Sequence, residues 1–195
     1  MPTGNETGKS TGRSKDHGVI GMSELAPLLE RWANFYLLTA AAAATLIGLL
    51  FVVIALAAQR GHRDTAKIHI YLTPTVIYFA SVLCLAALLT FPNHTRLTAT
   101  LCICLVGVVG LVYSGFLFIG RDVKKSYYDL RHLIPHAVFP FAAYVLLVLG
   151  GVLLLDDPQR GLTLVAAGML SLLAVAIHNS WAIAIGVVST PPDRH

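Results

Sequence analysis

Five long runs without a charged residue organise this chain, at 37–58, 71–91, 97–119, 136–155 and 161–188. Each reaches the roughly 20 apolar residues a helix needs to cross about 30 Å of hydrocarbon, so the pattern predicts five transmembrane helices. The connectors Phe91-Pro92-Asn93-His94 and Asp156-Asp157-Pro158-Gln159 are short and rich in turn formers, which makes the flanking spans antiparallel neighbours. The first run begins too far into the chain, and runs too long, to be a signal-peptide core.

Ahead of the spans the pattern changes. Residues 1–22 carry Gly4, Gly8, Gly12 and Gly18 among polar residues with no apolar period, so a disordered tail is expected, and Met22 offers an alternative start. Ser23-Glu24-Leu25-Ala26-Pro27 reads as a capped helix start. From it, Leu25, Leu28, Leu29, Trp32 and Phe35 share one face while Glu30, Arg31 and Asn34 share another. That is the pattern of a short interfacial amphipathic helix, with Trp32 and Tyr36 at headgroup level. The expected organisation is therefore a tail, a transmembrane domain over 23–190 and a short C-terminal tail over 191–195.

Composition sharpens the class. Hydrophobic residues make up 56% of the chain and charged ones 12%, against about 25% charged in soluble domains. The fold class is all-α, a polytopic membrane bundle with the lipid bilayer as its solvent. The formal net charge of +4 lies almost wholly between the spans and is read as topology, not as a nucleic-acid surface. Arg31, Arg96 and Arg160 fall on the N-terminal side. Arg60, Arg63, Lys67, Arg121, Lys124, Lys125, Arg131 and Arg194 fall on the other. The positive-inside rule then puts the N-terminus outside and the C-terminus in the cytoplasm. Counting Lys9, Arg13 and Lys15 of the tail narrows the difference. Arg121, Lys124, Lys125 and Arg131 form a basic cytoplasmic loop suited to anionic lipid or a partner.

Within the spans, Ala40, Ala44 and Gly48 recur every four residues, a spacing that lets helix backbones approach closely in lipid. Gly107, Gly110, Ser114, Gly150 and Gly151 extend it. Polar residues gather toward the cytoplasmic halves, where Thr73, Tyr78, Tyr144, His178, Asn179 and Trp181 are the candidate lining of a pocket. Pro74 removes a backbone donor among them and predicts a local kink. Such residues at membrane depth normally face the bundle and find a partner. Two readings stay open: ligation of an ion, proton path or small molecule, or hydrogen bonds between helices.

Other chemistry finds little footing. Cys84, Cys102 and Cys104 read as small buried thiols, because a Cys-x-Cys pair splays its sulfurs and no fourth cysteine exists. Two haem ligands at one depth are not available among His69, His136 and His178. His62 with His69 and His132 with His136 lack an arranged carboxylate for zinc. No phosphate loop, paired carboxylate or nucleophile motif is present, so neither metal, cofactor nor enzymatic activity is expected.

Several stretches together resemble a known family. They are Trp32-Ala33-Asn34-Phe35 leading into the run 41–52, Leu72-Thr73-Pro74-Thr75-Val76-Ile77-Tyr78-Phe79 with the later Pro92, Pro140-Phe141-Ala142-Ala143-Tyr144, and Ile177-His178-Asn179-Ser180-Trp181. In these the chain resembles uncharacterised five-span bacterial integral membrane proteins over about residues 22–188. The resemblance implies a bacterial inner membrane and no established activity, although some members carry the label of modulators of a membrane protease. In that family an aspartate usually follows the last tryptophan. Ala182 stands there in this chain, which removes the charge.

The expectation is a multi-pass bundle, as a homo-oligomer or with a membrane-protein partner, that binds or conducts a small ligand or ion through a cytoplasmic-half pocket. The alternative is a structural or regulatory subunit docking another membrane protein, protease modulation included.

Overall fold

The computed structural model describes residues 16–59, 65–91, 95–120 and 138–189. Five helices occupy them: α1 Asp16–Gln59, α2 Thr65–Thr90, α3 Arg96–Gly120, α4 Phe139–Leu153 and α5 Pro158–Ser189. Four of these contain stretches long and apolar enough to cross a membrane, at Pro27–Leu56, Leu72–Thr90, Arg96–Leu117 and Pro158–Ile185. The architecture is the helical bundle expected, and no strand occurs among the described residues.

Local chemistry sets two of the starts. At α3, the Thr98 amide donates to Thr95 Oγ1 at 3.1 Å and the Thr95 amide to Thr98 Oγ1 at 2.9 Å, a reciprocal cap that satisfies two backbone donors at the helix end. At α5, Asp157 precedes Pro158, and its Oδ1 accepts the Arg160 amide at 3.1 Å, so an acidic N-cap and a first-turn proline act together.

The most extensive packing joins α4 to α5, followed by α1 on α2 and α3 on α4, with α2 also lying along α5. The core is one apolar cluster through all five helices, including Tyr36, Phe79, Leu85, Ile103, Leu147, Leu162, Met169 and Leu172. Large apolar side chains such as Leu38, Leu105 and Phe116 are exposed around the outside, as a bundle solvated by lipid requires. Glycine permits the tightest crossing. A Cβ on Gly161 would stand 2.7 Å from the Leu154 amide nitrogen, and one on Gly150 2.9 Å from the Gly161 carbonyl oxygen.

Three expectations change. No separate interfacial helix turns into the first span. Instead α1 is a single helix of 44 residues, about 66 Å long, and it begins within the segment expected to be a disordered tail. Leu25, Tyr36, Thr39, Ala43 and Leu50 are all buried at helical spacing, so one continuous stripe packs from Leu25 onward, while Pro27 sits on an exposed turn. The fourth span, expected over 136–155, is described from Phe139, with Pro140 in its first turn, and its helix ends at Leu153 in a turn over Leu154–Asp156. Finally, of the Ala40, Ala44 and Gly48 stripe only Ala40 packs against the core. Ala44 and Gly48 are exposed, and a Cβ on Gly48 would meet nothing within 4 Å. The faces used are those of Gly107, Gly110, Gly150, Gly151, Gly161 and Gly168, where the facing helix comes close.

The loop of Arg121, Lys124, Lys125 and Arg131, the residues 1–15 and 190–195, and the side chains of His62, His69, His132 and His136 lie outside the described residues.

Candidate polar site in one half of the bundle

Tyr144 is the junction of three helices. It is fully buried and lies on α4 against Gly110 of α3, where any Cβ would run into the ring. Its hydroxyl is 2.9 Å from Ser81 Oγ on α2. Ser81 already donates to the Ile77 carbonyl at 2.8 Å, so the tyrosine O–H donates and the serine oxygen accepts. The Tyr78 ring, also buried, lies beside that of Tyr144 with centroids 6.3 Å apart. Two tyrosines and a serine thus tie α2, α3 and α4 together at one level.

The glycine contacts set the register of the neighbouring polar groups. Gly107 faces Val148 and Gly110 faces Tyr144, so one more turn of α3 brings Ser114 level with the first turn of α4. Gly161 faces Leu154 and Gly168 faces Leu147. Three turns beyond Gly168, about 16 Å on, Asn179 returns to the same face of α5, past the start of α4. Both side chains are 5% exposed, and neither Ser114 Oγ nor Asn179 Oδ1 has a hydrogen-bond partner among the described residues. A buried polar atom left unmatched costs about 1–3 kcal/mol, and within a bilayer no solvent relieves it.

The six expected site residues divide in two. Tyr78, Tyr144 and Asn179 are buried inside the bundle. Thr73, His178 and Trp181 lie on outward faces, Trp181 at 67% exposure.

Ser81 escaped the sequence reading, although its place three residues after Tyr78 puts it on the same side of α2. Ser114 stood among the small residues of the third span but not among the candidate lining. The cysteines also differ from expectation: Cys84 is exposed, while Cys102 and Cys104 are half-buried. Cys104 Sγ approaches the Val148 carbonyl at 3.9 Å, and its room comes from Gly151, whose Cβ would stand 2.9 Å from that sulfur. Among the described residues no three His, Cys, Asp or Glu side chains come together as a metal site. The buried polar residues described are Thr39, Thr75, Thr100, Ser114 and Asn179, together with the tyrosines, and none carries a formal charge.

No protein-family model, curated protein or solved structure matches the chain.

Proposed function

We propose that this is a non-enzymatic protein of a bacterial inner membrane, N-terminus outside, that binds or passes a small ligand in the cytoplasmic half of its bundle. The contact proposed is Asn179; Tyr78, Tyr144 and Ser114 are the other polar residues buried in that half, and Thr73, His178 and Trp181 are set aside as outward-facing. One observation carries the reading: Asn179 is 5% exposed and its Oδ1 lacks a partner among the described residues. A carboxamide held in that state has its affinity still to spend, and a ligand that hydrogen-bonds there recovers the desolvation cost.

Cysteine accessibility tests this directly. With Cys84, Cys102 and Cys104 replaced by alanine, Asn179→Cys is expected to react with a small methanethiosulfonate reagent added to inside-out vesicles. It should react far more slowly when the reagent is added to right-side-out ones. Ile177→Cys, on the lipid-facing side of the same turn, should stay unreactive in both. An inert thiol at 179 from either side would mean a sealed interior and would end the ligand reading; reaction from the opposite side would reverse the orientation.

A specific observation favours lateral association as a second reading. Ala44 and Gly48 of α1 present their small face outward, over open space. A second copy or another membrane protein packing there would use the chain as a structural or regulatory subunit.

A further inference from the structure

Resting on the ligand reading above, we infer that the site takes an uncharged solute that both donates and accepts hydrogen bonds, such as a small amide or alcohol, and not an ion. Among the described residues, every buried polar side chain is a hydroxyl or a carboxamide. The half-buried charged residues described, Arg96 and Asp157, lie at the opposite end of the bundle, at the starts of α3 and α5.

An ion has two ways to be stable at such a depth. It is neutralised by an opposite charge, or it is wrapped by enough dipoles to replace its hydration shell. Among the described residues no charged side chain is buried inside the bundle. A ring of oxygens is not assembled either, since Ser114 and Asn179 stand on α3 and α5, two helices that do not pack extensively on each other. The Tyr144 hydroxyl already donates to Ser81.

A neutral solute asks for less. The Asn179 carboxamide offers an acceptor oxygen and two N–H donors on one planar group, so it pairs reciprocally with another amide or with a hydroxyl. Such a pair exchanges hydrogen bonds without moving a charge out of water.

Acetamide, acetate and acetamidinium have nearly the same shape and differ in charge, so they separate the possibilities. Saturation-transfer NMR on the full chain in detergent micelles would follow the methyl protons of each. The expected result is transfer to acetamide, with little to acetate or acetamidinium, and acetamide binding about tenfold weaker in Asn179→Leu, as the loss of one good hydrogen bond predicts. Asn179→Gln, which keeps the amide, should retain part of the signal. If Asn179→Leu does not reach the wild-type helical content and elution volume, Asn179→Ala supplies the comparison, since it removes the carboxamide without adding bulk. Stronger transfer to acetate or acetamidinium overturns the neutral-solute inference and leaves the ligand reading standing. Absence of transfer to all three, or acetamide transfer unchanged in both variants, overturns the two together.

Discussion

Gly110 and Gly48 are one residue type in one kind of place, the middle of an apolar helix, and their surroundings are opposite. A Cβ on Gly110 would enter the Tyr144 ring, while one on Gly48 would meet open space. Gly110→Ala should therefore displace Tyr144, strain its bond to Ser81, and destabilise the bundle by about 1–3 kcal/mol, the usual cost of overpacking. Gly48→Ala should be neutral or gain slightly in helix propensity. Unfolding of each purified variant in a denaturing detergent series measures the difference, and equal midpoints would show that the notch is not a close contact. The sequence presents both glycines as small residues at packing intervals. Which of them meets a neighbour depends on helix rotation, and in lipid an apolar residue is at home on either face, so hydrophobicity does not choose the rotation. His178 and Asn179 show the same limit one residue apart: a rotation of about 100° per residue sends one outward and the other inward.

At the scale of elements, end chemistry is more legible than depth. Asp157 followed by Pro158 is a helix start by local rules alone, and α5 begins there with Asp157 Oδ1 accepting the Arg160 amide. Asp157→Ala should cost about 1 kcal/mol through the lost cap, readable as an earlier unfolding midpoint. The 3.1 Å ion pair of Arg160 with Asp157, whose side chains are 79% and 38% exposed, adds little of this because solvent screens it. Arg160→Gln should thus be far milder than Asp157→Ala, and equal effects would assign the stability to the pair instead. The fourth run continues two residues past the end of its helix because a charge-free run reports where a helix is permitted. Its described start comes at Phe139, beside Pro140, and the apolar residues after Leu153 enter a turn. At the other end of the chain, the pattern split off as interfacial a segment that α1 includes in one helix. A stripe from Leu25 to Trp32 reads equally as packing on a membrane surface or on a protein core, and only the burial of Leu25 separates them.

For the whole molecule, the least buried spanning helix is α1, and its small-residue face is turned outward. If that face seats a second copy or a partner, Gly48→Leu together with Ala44→Leu should shift the assembly state seen by native mass spectrometry while leaving helical content unchanged. An unaltered assembly would leave α1 facing lipid only. What the amino-acid order determined by itself is the solvent and a helix in each charge-free run. Charge-free runs of this length have one stable environment, and backbone hydrogen bonds in lipid demand helices. The mutual rotation and vertical register of those helices were decided by tertiary packing, through glycine contacts such as Gly110 against Tyr144 and Gly161 against Leu154. Those contacts turn Asn179 and Ser114 inward and His178 and Trp181 outward, because between helices in lipid the close fit of backbones, rather than aversion to solvent, selects the interface.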